Sequence, residues 1–207
     1  MKKTLLLAGA AVCLFAVNAH AFDVNPYVSA KLRYSIMDNE LKASDYEDTL
    51  KLSGDDNVFG GSLAVGAASS VYGGAVRAEL EYNRNAEAKD TTYNVIGTEV
   101  EVQSTMLNAY YDIDTGTKIT PYVGAGLGFA KVKGTLKFFG ENWGSESQYN
   151  FAWQIGAGVG YALNNNVTLD AGYRYVDYGH WTVESIDETD RLESKAHELY
   201  IGARYNF

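Results

Sequence analysis

From Pro26 onward the chain alternates apolar and polar residues with a period of two, in runs of about nine to eleven residues. Val28, Ala30, Leu32, Tyr34 and Ile36 share one face of the first run, and Ser29, Lys31, Arg33 and Ser35 the other. Val76, Ala78, Leu80 and Tyr82 oppose Arg77, Glu79, Glu81 and Asn83. Phe151, Trp153, Ile155, Ala157, Val159 and Tyr161 oppose Ala152, Gln154, Gly156, Gly158 and Gly160. Leu169, Ala171, Tyr173 and Tyr175 oppose Asp170, Gly172 and Arg174, and the ending sets Leu199, Ile201, Ala203, Tyr205 and Phe207 against Glu198, Tyr200, Gly202, Arg204 and Asn206. Side chains on a strand point alternately to its two faces, so each run reads as a strand with one apolar side. Strands of soluble domains centre on about five or six residues. Runs of about nine to eleven match tilted strands crossing a bilayer.

Three further patterns agree. Charged residues sit opposite the apolar stripe rather than within it, and a lipid-facing Arg at mid-bilayer would cost about 2–4 kcal/mol. Aromatic residues gather near the stripe ends, at Tyr82, Tyr111, Phe129, Phe151, Trp153, Tyr161, Tyr175 and Tyr205, where interfacial rings belong. The connections alternate in length: long at 37–56, 84–97, 134–149 and 177–196, short at 69–74, 112–118 and 163–166. The short ones carry turn formers, Gly73-Gly74, Asp114-Thr115-Gly116 and Asn164-Asn165-Asn166. Four long and three short connections predict an all-β fold: an eight-stranded antiparallel transmembrane barrel, traced as an up-and-down meander. Closure leaves no strand edge and no backbone group unpaired in lipid. Two runs are weaker. Over 98–112 the apolar phase shifts between Val100/Val102 and Leu107/Ala109/Tyr111, as a bulge or a strand projecting above the membrane would cause. Over 58–69 the two faces differ little.

The N-terminus predicts export. Met1-Lys2-Lys3 is a short basic stretch, Thr4 to Val17 is apolar, and Ala19-His20-Ala21 places small residues at a cleavage site after Ala21. The apolar run is shorter than the ~20 residues of a spanning helix. The expected organisation is a signal peptide at 1–21 and one barrel domain over 22–207, in the outer membrane of a Gram-negative cell. Cys13 is the only cysteine and lies in the signal, so the mature chain has neither a disulfide nor a thiolate metal site. Removing Lys2 and Lys3 makes the remainder more acidic than the full chain's −9, which argues against nucleic-acid binding.

Leu107-Asn108-Ala109-Tyr110-Tyr111-Asp112, Thr120 to Gly128 (TPYVGAGLG), Ile155 to Tyr161 (IGAGVGY) and Leu169 to Tyr175 (LDAGYRY) together resemble the later strands of opacity-type, OmpA-like outer-membrane barrels, a family that includes porin-family surface antigens. The ending Gly202-Ala203-Arg204-Tyr205-Asn206-Phe207 is similar to their terminal strand. The resemblance implies that Tyr205 and Phe207 form a signal to the barrel-assembly machinery. It also implies variable outer loops that carry case-by-case adhesive or antigenic roles.

Chemistry is sparse. Lys31, Arg33, Arg77, Arg174 and Arg204 share the inward face with Glu79, Glu81, Asp170 and Glu198, and an eight-stranded lumen is about wide enough for side chains to fill. These nine residues are expected to form a charge network plugging the lumen; the alternative is a narrow porin-like channel that they line. The glycines at 124, 126, 128, 156, 158 and 160 make room for long side chains opposite, and lie within strands rather than at the strand-to-helix turn of a nucleotide site. A lipid-modifying barrel enzyme would use His180 with a nearby Ser, but position 182 is Thr, so no catalytic set is assigned. Asp112 to Gly116 lacks the later carboxylate of a calcium loop and reads as a turn. No cofactor or metal is expected. Acidic residues crowd 37–56 and 177–196, which suits solvated loops better than a cation site. The expected partners are outer-membrane lipid and lipopolysaccharide, the assembly machinery, and an extracellular partner met through the four long connections.

Overall fold

The computed structural model describes residues 24–44, 49–85, 88–92, 96–138, 141–184 and 189–207. The expected signal and its cleavage site lie outside them. The elements are β1 (Val24–Ser44), β2 (Thr49–Val71), β3 (Gly74–Asn85), β4 (Ala88–Thr92), β5 (Ile96–Ile113), β6 (Ile119–Phe138), β7 (Glu141–Ala162), β8 (Val167–Glu184) and β9 (Thr189–Asn206). All pairings are antiparallel, β1 pairs with β9, and the additional β3–β5 pairing closes the barrel. Eight strands form the wall; β4 is a short ninth strand that pairs with the outer end of β5.

The register sets the barrel's stagger. Stepping from Val24 through Ser69, Val76, Tyr111, Val123, Ala157, Tyr173 and Leu199 returns to β1 at Tyr34, ten residues further along. That shear tilts the strands, as closure of eight of them requires. The tight turns lie at one end. Tyr72–Gly73 joins β2 to β3, with Gly73 at φ 80°, in the left-handed region that favours glycine. Asp114 accepts the Gly116 N–H at 2.8 Å, and Asn164 accepts those of Asn166 and Val167 at 2.9 and 2.8 Å.

At the other end the strands run on well past the nine to eleven residues expected. The 21 residues of β1 span about 70 Å along the strand, or about 50 Å along the membrane normal at ~40° of tilt. A bilayer core takes about 30 Å of that. The long connections 37–56 and 177–196 are therefore mostly paired backbone, Asp38↔Asp55 through Ser44↔Thr49 and His180↔Glu193 through Glu184↔Thr189. Lipid imposes the alternation only over the buried span, so the sequence pattern ends before the strand does. Pairing through the barrel wall also stops early in two places: β2–β3 ends at Gly60/Asn85, and β7–β8 at Trp153/Asp177. Beyond these rows the described backbone continues as two sheets, β8-β9-β1-β2 and β4-β5-β6-β7. The second seam coincides with a bulge between Asp177 and His180, where Gly179 has φ 83° and donates its N–H to Asp177 at 2.8 Å. The extra residue there shifts the register of β8 against β9, while Gly179 stays close to the Phe151 carbonyl of β7.

The phase shift over 98–112 is not a bulge. β5 pairs with β6 without interruption from Ile96 to Asp112. Val102 and Met106 keep inward parity and are buried, while Leu107 and Tyr111 face out.

Candidate functional site

The outer surface of the wall is apolar. Leu32, Leu63, Leu127, Ile155, Leu199 and Ile201 are all more than half exposed, which in water would be untenable and in lipid is required. Two aromatic levels bound this belt. Tyr34–Phe59, Phe129–Phe151 and Trp153–Tyr175 ring pairs, with centroids 5.1, 6.4 and 5.6 Å apart, mark the outer level. Tyr111, Tyr161, Tyr205 and Phe207 mark the level near the tight turns, where the Tyr205 and Phe207 rings meet edge-on at 5.3 Å. Phe207 also donates its N–H to Pro26 O at 3.1 Å.

The lumen holds the charges. All nine residues singled out from the sequence point inward and are buried. Lys31 Nζ lies 2.8 Å from Glu79 and 3.3 Å from Glu81. Arg174 bridges Glu81 at 2.9 Å and Glu198 at 2.6 Å, and Arg33 meets the other oxygen of Glu198 at 2.9 Å. These contacts link β1, β3, β8 and β9 across the lumen. Nearer the tight turns, Arg204 reaches Asp170 at 3.3 Å. Arg77 pairs at 2.8 Å with Asp112, a residue expected in the turn 112–118; Arg204 lies 3.6 Å from the same carboxylate. With Asp112 the buried set among the described residues comprises five cations and five carboxylates and is formally neutral.

Tyrosines complete the packing; alternation placed Tyr200 on the inward face, while Tyr27, Tyr110, Tyr122 and Tyr178 were not singled out. Tyr27 and Tyr110 donate to Glu79 at 3.1 and 3.3 Å, and Tyr178 donates to Glu198 at 2.9 Å. Tyr122 and Tyr200 share a hydroxyl contact at 3.0 Å. The Arg77 guanidinium carbon lies 4.5 Å from the Tyr110 ring centre and 4.9 Å from that of Tyr122, so the cation is stacked as well as paired. Inward glycines permit this. A Cβ on Gly172 would sit 2.5 Å from the Tyr200 hydroxyl, and one on Gly158 2.5 Å from the Tyr122 ring. The available signal was parity: Tyr27 and Tyr200 are in phase with the charges of their strands, and Asp112 with Ser104 and Asn108, not with the apolar stripe.

Above the charges the lumen turns apolar. Met37, Val58, Val102, Met106, Ala130, Ala152, Val176, Tyr178 and Ala196 form one buried cluster. Met37 follows Ser35 on inward parity, Val176 follows Arg174 and Ala196 precedes Glu198, so the cluster caps the outer end. A void beside Tyr110, Gln154, Gly156, Arg174 and Tyr200 measures about 10 Å³, close to the minimum for one water. The side chains of His180 and of most acidic residues in 37–56 and 177–196 lie outside the description. Among the described residues no three His, Cys, Asp or Glu side chains are grouped to hold a metal.

A closed antiparallel barrel with a lipid-facing apolar belt and two aromatic girdles is an outer-membrane β-barrel, as the alternation predicted. The chain belongs to the family described as outer membrane protein beta-barrel domain, whose model matches residues 5–207. It is 33% identical over 139 residues to outer membrane protein PagN of Salmonella typhimurium, covering 59% of this chain and 58% of PagN. It is also 33% identical over 159 residues to opacity protein V28 of Neisseria gonorrhoeae, covering 62% and 63%. The chain thus spans less than two thirds of these curated relatives. The crystal structure of Neisserial surface protein A superposes with a TM-score of 0.55 over 88% of this chain and 97% of that one, at 24% identity, and so shares the fold. The opacity-type resemblance and the outer-membrane location expected from the sequence both hold.

Proposed function

We propose that this protein is a closed, non-enzymatic barrel that displays its outer hairpins for surface interactions, with a lumen plugged by its own side chains. The observation that carries the reading is the neutral set of five cations and five carboxylates, roofed by the apolar cluster around Met106 and Val176. An ion entering this lumen would have to break buried pairs and then cross an apolar layer. The outer sheets supply paired, extended backbone well clear of the bilayer, and acidic residues are concentrated at 37–56 and 177–196. The same reading includes export by a signal cleaved after Ala21, and recognition of Tyr205 and Phe207 by the assembly machinery.

Planar-bilayer recording of the purified barrel tests the plug: no stable openings are expected. Steady single-channel steps that vanish in Arg77→Ala or Glu79→Ala would establish a conducting path instead. The narrow channel is the competing reading. Arg33 Nε, Arg77 Nη2 and Arg204 Nε favour it, being buried donors with no protein acceptor among the described residues. Lipid A profiles of cells carrying the wild type and His180→Ala should be identical, and a difference would restore the enzyme reading.

A further inference from the structure

Gly61 has no structural reason to be glycine. The other strand glycines whose side-chain surroundings are described are crowded, so that an added Cβ would press on a neighbour. A Cβ on Gly61 would have Lys31 O as its nearest neighbour, at 3.8 Å, and its φ is not in the left-handed region. Glycine weakens a strand interior, so an uncrowded one calls for another explanation. Gly61 faces outward, in register with Leu32 on one side and Arg84 on the other. Phe59 and Leu63 flank it along β2, each about two-thirds exposed, and Tyr82 stands beside it. These six are among the residues that line an open groove of about 910 Å³ in the lipid-facing wall.

The groove is amphipathic across its width. One side is apolar, formed by Leu32, the bare backbone of Gly61 and Leu63, with Phe59 above them against Tyr34 in the outer aromatic girdle. The other side is a polar rim on β3, where Arg84 stands opposite Gly61 and Tyr82 opposite Leu63. Tyr82 donates to Gln103 at 3.0 Å, and Arg84 pairs in register with the same Gln103. Arg84 is an exposed cation on the lipid-facing parity of β3. A guanidinium presents its N–H donors in a planar fork that matches phosphate geometry. β3 runs from the tight turn Tyr72–Gly73 toward the outer end, so this polar rim belongs to the outer leaflet.

We infer that the groove is a binding site for one phosphorylated glycolipid of the outer leaflet, the lipid A of lipopolysaccharide. An acyl chain lies on Gly61 between Phe59 and Leu63, and a lipid A phosphate meets Arg84. Absence of a side chain at Gly61 keeps the acyl seat open, and the cation supplies charge complementarity to the phosphate.

Native mass spectrometry of the full barrel in phosphatidylcholine nanodiscs, titrated with purified lipid A, tests this. The wild type should retain one lipid A. Gly61→Leu, which fills the seat, and Arg84→Gln, which removes the charge, should each weaken retention about tenfold, the loss of one good contact. Ala203→Leu, a matched lipid-facing change elsewhere on the wall, should leave retention unchanged. The heat-dependent gel shift reports folding of each variant; if Gly61→Leu does not fold, Arg84→Gln decides alone. Retention equal to wild type in folded Gly61→Leu or Arg84→Gln overturns the site. Equal retention of dephosphorylated lipid A overturns the Arg84 contact, and equal retention of phosphatidylglycerol overturns the glycolipid assignment.

Discussion

Glu198 is the residue whose loss most directly measures how dry the lumen is. Its carboxylate accepts from Arg33 Nη1, Ser35 Oγ and Tyr178 OH at 2.9 Å each and from Arg174 Nε at 2.6 Å, with no exposed surface. Glu198→Ala removes all four acceptor contacts and leaves five buried cations facing four carboxylates. Breaking a buried pair from one side costs about 3–5 kcal/mol, mostly for the charge left behind. Here the stranded groups keep other partners: Arg33 keeps Asn85 at 2.8 Å, and Arg174 keeps Glu81 at 2.9 Å and Asn83 at 3.1 Å. The expected loss is therefore at the lower end, about 3 kcal/mol, or roughly 150-fold in the folding equilibrium. In a water-filled lumen the same pairs would behave as exposed ones, worth about 0–1 kcal/mol. Reversible urea unfolding in phospholipid vesicles, followed by tryptophan fluorescence and the gel shift, separates the two. Glu198→Leu combined with Arg33→Met restores neutrality with apolar volume and should recover much of the loss. A loss below about 1 kcal/mol for Glu198→Ala would refute the packed, water-excluding interior.

Three further outcomes are expected. Gly172→Leu drives a side chain into Tyr200 and the Ala157 carbonyl, and should cost about 1–3 kcal/mol in the same unfolding assay or prevent folding outright. Ile201→Arg places a charge in the lipid belt where Ile201 is 62% exposed, and should cost about 2–4 kcal/mol in vesicles. Deleting Phe207 removes a lipid-facing ring and the bond to Pro26 O, and should slow insertion into outer membranes in cells while barely changing the unfolding midpoint of purified protein.

Alternation made the wall legible residue by residue. Each of Val28, Leu32, Ile155, Leu169 and Ile201 faces out, and each of Lys31, Arg77, Glu81, Arg174 and Arg204 faces in, because a period-two backbone in lipid leaves no other arrangement. Turn chemistry was equally local: Gly73, Asp114 and Asn164 act within a few residues of themselves. The outer reaches were not legible. Beyond the bilayer water accepts either face of a strand, so continued pairing through Ser44 and Thr49 left no pattern to read.

What the sequence determined by itself was the class of object: strands, their faces, their count, their lipid side and the sign of each inward charge. What only the tertiary structure decided was which partners meet. Lys31 and Glu79 are 48 positions apart, Arg174 and Glu81 93, and Arg33 and Glu198 165. A stagger of ten residues around eight tilted strands sets those encounters, brings Asp112 to Arg77, stacks Arg77 on Tyr110 and Tyr122, and places Met106 and Val176 above the charges. Period two assigns a face, but height within the lumen depends on closure, a property of the whole ring that no single strand carries.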